Sequence, residues 1–203
     1  MAITEVIALA HELEDLLNAP ASDIMEAILK GFRAQVDVKG KLAELYLYRY
    51  LEGLENQGTI QSLEWRDKDG HPDFAFESKG KSYQMECKNL RNEVYKKPEF
   101  SYKVEIQRTR NSKDGSNTRS YRADYFDILA VCTFNQTDKW DFMFIRADDL
   151  EIVKDNPELL KIMQRVPTKI TNPWKKDLID VLNSFGEEWS SKSGNRSPLQ
   201  RTL

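Results

Sequence analysis

The sequence predicts a mixed α/β fold: a central mixed β-sheet flanked by helices, with a helical extension at the N-terminus. Three observations carry that prediction. Apolar residues recur at helical spacing through the first third of the chain, alternate with polar ones through the middle, and give way to helix-start signals near the end. A composition of 40% hydrophobic and 31% charged residues is that of a globular chain. A length of 203 residues suits one domain with an appendage and a sizeable core.

Each element has a local cause. Residues 4–18 and 23–33 carry apolar side chains at helical spacing and are separated by a break around Pro20, with Ser22 or Asp23 as the second N-cap. A third helix is expected over about 39–52, stopped by Gly53. The period then changes. SLEWR (62–66), DFAFE (73–77) and SYQMECK (82–88) alternate polar and apolar, as half-buried strands do. DILAVCTF (127–134) and WDFMFI (140–145) also predict strands, the first buried on both faces. Asn156-Pro157 and Asn172-Pro173 each place a capping Asn before a Pro suited to the first helical position, and Gly186 is expected to close the last helix. The resulting organisation is a single domain over 1–190, with a helical extension (1–38), a core (39–145), C-terminal helices (146–190) and a Ser-rich flexible tail (191–203).

Charge narrows the functions this fold class could serve. The formal net charge is −3, which as a bulk value disfavours a nucleic-acid binder. The average hides an asymmetry: residues 89–122 hold 9 basic and 4 acidic groups, a net of +5, interleaved with Tyr95, Phe100, Tyr102 and Tyr121. No apolar run approaches the roughly 20 residues of a membrane span. The first residues lack the basic start of a secretory signal. Cys87 and Cys132 alone make neither a disulfide framework nor a zinc site, so a reducing cytoplasm is the expected setting. The phosphate-binding loop, GxSxG, GxGxxG and paired CxxC patterns are all missing.

The hairpin over 73–88 concentrates the chemistry. Its turn is centred on Lys79-Gly80, as a two-residue loop or as the four-residue loop 78–81, and both give one register. Glu77 then faces Ser82, Ala75 faces Gln84, and Asp73 lands opposite Glu86, with Lys88 on the same face two residues on. Phe74, Phe76, Tyr83, Met85 and Cys87 collect on the other face as a core layer. Two close carboxylates repel one another and favour a hard divalent cation such as Mg²⁺; a nearby ammonium can position a water or offset phosphate charge. The competing interpretation is an ordinary surface ion-pair ladder. His71, a lone histidine in a turn, and Cys87, which points to the core face and has no histidine beside it, are weaker candidates.

Pro72-Asp73 followed by Glu86-Cys87-Lys88 resembles the signature of the PD-(D/E)xK nuclease superfamily, and the chain is most similar to its type II restriction endonucleases. The resemblance covers roughly residues 39–145. It implies a restriction-endonuclease-like core of α-β-β-β-α-β order, whose second helix would fall at about 100–110. It also implies Asp73, Glu86 and the Cys87 carbonyl as Mg²⁺ ligands, and Lys88 as the group that orients water. Glu44 matches an acidic position on the preceding helix, where active-site and ordinary helix-surface roles stay open. Arg91, Lys96, Lys97, Lys103, Gln107, Arg108, Arg110, Asn117, Arg119 and Arg122 are the candidate DNA contacts, from charge and position beside the site. The implied protein is a Mg²⁺-dependent, homodimeric, prokaryotic cytoplasmic endonuclease cutting double-stranded DNA at a specific sequence, leaving 5′-phosphate and 3′-hydroxyl ends. A structure-specific or repair nuclease of the same superfamily, and a DNA-binding module without catalysis, are the alternatives.

Overall fold

The computed structural model describes residues 12–68, 70–107 and 119–191, the last six by backbone alone. The chain divides into two compact units, Met1–Leu42 and Ala43–Leu203. In the first, residues 12–17 are helical and α1 spans Ala21–Lys30. Helix α2 starts at Phe32, continues into the second unit and ends at Asn56. The second unit then holds β1 (Gln61–Trp65), β2 (Phe74–Ser78), β3 (Lys81–Tyr95), β4 (Ser101–Glu105), β5 (Ile128–Cys132), the single turn α3 (Phe134–Thr137), β6 (Phe142–Arg146), β7 (Ile152–Val153), β8 (Asn156–Leu160), β9 (Met163–Val166) and α4 (Leu178–Ser191). Among the described residues no helix is long and apolar enough to cross a membrane.

Seven strands form one mixed sheet, β1-β2-β3-β4-β9, with β5 pairing both β3 and β6. The β3–β5 pair is parallel and the others are antiparallel. Each face carries an apolar layer. Leu47 and Leu51 of α2 pack with Phe74, Phe76, Met85, Cys87, Ile128, Ala130, Cys132 and Leu178 on one face. Leu90, Val104, Leu129, Val131, Ile145 and Val166 pack on the other. Strand β5 therefore contributes alternate residues to both layers, and all five of its side chains are buried.

The hairpin forms in the expected register: Phe74 pairs with Met85, Ala75 with Gln84, Glu77 with Ser82 and Ser78 with Lys81. Lys79 (φ 51°) and Gly80 (φ 74°) both lie in the left-handed region, as a two-residue hairpin loop requires. The core-face residues Phe74, Phe76, Tyr83, Met85 and Cys87 are all buried.

Several local expectations are corrected. The boundary expected between 33 and 39 falls at Gly31. Gly53 does not stop α2, because Leu54 continues the buried stripe of Leu47 and Leu51 and holds one more turn on the core. The cap is Gly58, at φ 72°: its N–H donates to Glu55 (2.8 Å) while that of Thr59 donates to Leu54 (2.9 Å), the two bonds of a Schellman cap. The helix expected at 100–110 is strand β4 as far as Glu105, where Tyr102 and Val104 alternate with Lys103 and Glu105 against β9; residues 108–110 lie outside the described residues. Among the described residues the chain order is therefore α-β-β-β-β-β in place of the expected α-β-β-β-α-β.

Residues 146–190 hold three strands before one helix, so they are not a set of C-terminal helices. Asn156 and Pro157 open β8, which pairs with β7 around the Lys154-Asp155 turn and bridges to Arg122. Asn172 and Pro173 form a turn, because Lys175 must stay extended to exchange backbone hydrogen bonds with Phe144 (both 2.8 Å). Gly186 lies within α4, which runs on to Ser191. The tail expected at 191–203 lies, apart from Ser191, outside the described residues.

Gly53, inside α2, and Gly58, in the cap beyond its end, make a contrasting test. A Cβ at Gly53 meets nothing within 4 Å, whereas one at Gly58 would have to adopt a positive φ. Gly53→Ala is expected to raise stability by about 0.5–1 kcal/mol and Gly58→Ala to lower it by about 1 kcal/mol, as read by urea unfolding.

Candidate active site

The site is built on the middle of β3, where that strand leaves β2 and runs beside β5. Glu86 and Lys88 pair with Leu129 and Val131 of β5, which places them on the face of the second apolar layer. Asp73 stands one residue before β2, in the position the hairpin register sets opposite Glu86. Its Oδ2 accepts the Cys87 N–H at 2.8 Å, which locks the carboxylate against β3.

The Lys88 ammonium draws the set together. Its Nζ lies 2.5 Å from Glu86 Oε1, 3.1 Å from the Cys87 carbonyl oxygen and 3.9 Å from Asp73 Oδ2. The Glu86 side chain is 3% exposed, that of Asp73 20% and that of Lys88 25%, so the cluster is largely withdrawn from solvent. These values do not suit an exposed ladder, in which both partners keep most of their hydration.

Tyr121 completes the setting of Glu86, donating its hydroxyl to Oε1 at 2.6 Å from a buried position. The tyrosine is itself held, stacked on Tyr125 (centroids 4.8 Å apart) and with its carbonyl accepting the Leu160 N–H at 2.9 Å. On the other side Trp65 Nε1 donates to Glu44 Oε2 at 3.0 Å. Glu44 is partly buried, and its charge is the least of those that raise the Asp73 carboxyl. Trp65 and Tyr121 were legible in the sequence only as aromatics; these partners lie 21 and 35 residues away, beyond any local signal.

Burial and the Glu86 charge push the Asp73 carboxyl up to about 7, against the pull of Lys88 and the Cys87 N–H. Burial opposes the Lys88 charge, but Glu86 and Asp73 outweigh it and hold the ammonium above its ordinary range. Burial pushes the Cys87 thiol well up, which keeps it protonated and unsuited to act as a nucleophile. His71 is exposed in the turn before Asp73.

The donor set fits a hard cation. Two carboxylates and one carbonyl, all oxygen ligands, converge on a single positive charge, and the buried acids need that compensation. Among the described residues no group of three or more His, Cys, Asp or Glu side chains gathers for a metal. A bound ion would therefore need water or substrate oxygens to fill its shell.

The basic residues divide into two groups. Arg91 is engaged by Glu93 (3.0 Å) and Glu105, Gln107 donates to Glu105, and Arg122 pairs with Asp124 (3.0 Å) and Glu158 (3.3 Å). Lys96, Lys97 and Arg119 are exposed. Lys103 lies over the Tyr95 ring at 4.6 Å, and so does Arg165, at 3.9 Å. Arg165 also donates to the Lys97 carbonyl and to Ser101 Oγ. It lies outside the 89–122 block and reaches this group only because β9 pairs with β4, Arg165 directly opposite Lys103. Val104 and Val166 point into the second layer, so Lys103 and Arg165 leave the opposite face of the sheet from Glu86. Arg108, Arg110 and Asn117 lie outside the described residues.

No family model matches the chain, and no curated protein matches it in sequence. Among solved structures, a bacterial homing endonuclease, I-Ssp6803I, is similar at 14% identity over 78% of this chain and 98% of that chain, with a TM-score of 0.45. That likeness is too distant to carry an argument.

The Asp73 carboxyl gives the site a pH signature. Its folded value near 7 lies above its ordinary 3.8, so the folded state binds the proton more tightly and the group's contribution to stability falls as pH rises from about 4 through 7. Asp73→Asn is expected to match the parent near pH 4 and to exceed it by about 2 kcal/mol at pH 8 without divalent cations, as read by urea unfolding at both pH values.

Proposed function

We propose that this protein is a divalent-cation-dependent endonuclease that hydrolyses phosphodiester bonds of DNA, with Asp73, Glu86, Lys88 and the Cys87 carbonyl as its reacting centre. The observation that carries the reading is the convergence of Asp73, Glu86 and the Cys87 carbonyl on the Lys88 ammonium in a largely dry site. An oxygen cluster of this composition suits Mg²⁺, and the Pro72-Asp73…Glu86-Cys87-Lys88 pattern resembles that of the PD-(D/E)xK nucleases.

In this reading Asp73, Glu86 and the Cys87 carbonyl hold the cation, which supplies Lewis-acid charge at the scissile phosphate. Lys88 orients the water that attacks phosphorus and offsets the negative charge growing on the phosphate oxygens. Tyr121 and the Cys87 N–H fix the two carboxylates so that neither must reorganise during the reaction. Glu44, held by Trp65, adds negative charge at the edge of the site. The DNA contacts are Lys96, Lys97, Lys103, Arg119 and Arg165, together with Arg108, Arg110 and Asn117. The substrate is double-stranded DNA at a defined sequence, as for type II restriction enzymes, and cutting both strands calls for two copies of the chain.

Plasmid and phage DNA incubated with Mg²⁺, and in parallel with EDTA, should give discrete fragments only with Mg²⁺. Asp73→Ala and Lys88→Ala should each slow cleavage by about 100-fold or more while leaving the far-UV spectrum unchanged. Intact DNA under every metal condition, or cleavage indifferent to both substitutions, would refute the enzyme. Separately, Lys103→Ala and Arg165→Ala should each weaken DNA binding by about 3–10-fold at low salt and lessen its salt dependence by about one phosphate contact, as read by fluorescence anisotropy.

A further inference from the structure

The tip of the hairpin between β3 and β4 carries an aromatic ring in solvent. Lys96, Lys97, Pro98, Glu99 and Phe100 join Tyr95 to Ser101, and all five are exposed. Phe100 keeps 59% of its surface accessible, which forgoes much of the gain from apolar burial. Single apolar residues are common on surfaces, but the mounting and the company of this one set it apart. Arg165 of β9 donates to the Lys97 carbonyl (2.8 Å) and to Ser101 Oγ (2.9 Å), so it ties both limbs of the tip to the sheet. Its guanidinium lies over the Tyr95 ring, at the foot of the same tip, at 3.9 Å. Phe100 meets the Tyr102 ring edge-on, with 6.5 Å between centroids. A tip held in this way meets a partner with little left to order.

The company is cationic. Lys96 and Lys97 belong to the tip itself, where Glu99 is the only acid. Lys169, Thr168 and Thr171 line, together with Phe100, a groove of about 360 Å³ beside it. Exposed ammonium groups around an exposed ring suit a polyanion that also offers an apolar interior, and a base-paired duplex is one. The tip can also be reached from the candidate site. Tyr102, on which Phe100 leans, packs against the second apolar layer, on the face that carries Glu86 and Lys88. The stretch of β3 from Lys88 to Tyr95 spans roughly 23 Å, less than one duplex turn of about 34 Å.

We infer that Phe100 is a wedge that enters a base step of bound duplex DNA, unstacks it and kinks the duplex, with Lys96, Lys97 and Lys169 on the flanking phosphates. A phenyl ring gains nothing from a hydrated phosphate backbone, whereas between parted base pairs its apolar surface is covered again. The three lysines hold the backbone as it bends, and the Thr168 and Thr171 hydroxyls can donate to phosphate oxygens. Pyrimidine–purine steps are the least costly to unstack, so the wedge enters there and adds selectivity without reading a base edge. The wedge rests on the DNA-binding half of the proposed function and not on its chemistry.

Short duplexes with a random central stretch, enriched for binding to the full chain in EDTA, serve as the probe. Labelled at both ends for energy transfer, they should shorten on binding as a kink of about 20–90° requires, and 2-aminopurine placed along them should brighten at one pyrimidine–purine step. Phe100→Ala should abolish both signals and weaken binding about 10-fold with an unchanged unfolding midpoint, whereas Phe100→Leu should keep both signals. Lys169→Ala should keep the kink, weaken binding by about 3–10-fold at low salt and lower the salt slope by about one. Bound DNA that stays straight and stacked overturns the wedge and leaves the nuclease reading standing, and so does a kink that survives Phe100→Ala. Failure to enrich any duplex overturns the wedge together with DNA binding. A kink made by a chain that cleaves nothing in Mg²⁺ upholds the wedge and refutes the nuclease.

Discussion

One strand sets what every other part of the second unit can do. Strand β3 is fifteen residues long and carries three different neighbours in succession: β2 along Lys81–Met85, β5 along Met85–Asn89 and β4 from Leu90 to Tyr95. Each change of partner must keep the backbone groups of β3 paired, since a buried orphan N–H or C=O costs as much as a lost hydrogen bond. The candidate site lies at the first change. There β2 begins at Phe74, and the Asp73 carboxylate, just outside the strand, takes the Cys87 N–H in place of a backbone carbonyl. The same device recurs at the start of the parallel pairing, where Asp127 Oδ2 accepts the Gln84 N–H at 2.8 Å. Side-chain carboxylates thus stand in for backbone acceptors where the sheet rearranges, and one of them, Asp73, belongs to the candidate site.

The electrostatics follow from that placement. Two carboxylates and an ammonium sit beside a dry apolar layer, where an uncompensated charge would cost several kcal/mol. Lys88 and the hydroxyl of Tyr121 offset the charge of Glu86. Asp73 is left with a raised affinity for protons, from its burial and then from the neighbouring Glu86 charge. Structural ion pairs usually drive carboxyl groups the other way. Ionising Asp73 near neutral pH therefore costs stability, and in the proposed reading a divalent cation at these oxygens would offset that cost.

The basic residues fall into two electrostatic settings. Arg91 and Arg122, which look equivalent to Lys103 in a count of charges, are occupied by acids on the same or neighbouring strands. Lys103 and Arg165 instead share the Tyr95 ring, on the face of the β3–β4–β9 portion of the sheet opposite Glu86. Composition by segment marks a basic block but cannot sort its members, because neutralisation depends on which acids the fold brings alongside.

What the sequence alone determined is what rests on short-range geometry. The Lys79-Gly80 turn sets the hairpin register, alternation places Phe74, Phe76, Tyr83, Met85 and Cys87 in the core, and the apolar run 128–132 buries both faces of β5. From these the pairing of Asp73 with Glu86 and Lys88 could be written down, because all lie within one hairpin. Tertiary structure decided the rest. Leu54 overrode Gly53 because a buried stripe outweighs one weak helix former, and the edges of β6 and β7 overrode the Asn-Pro signals because they needed extended partners. Tyr121, Trp65 and Arg165 joined their groups across 35, 21 and 62 residues of chain (Tyr121 to Glu86, Trp65 to Glu44, Arg165 to Lys103). No local period carries information over such distances; only the packing that closes the sheet does.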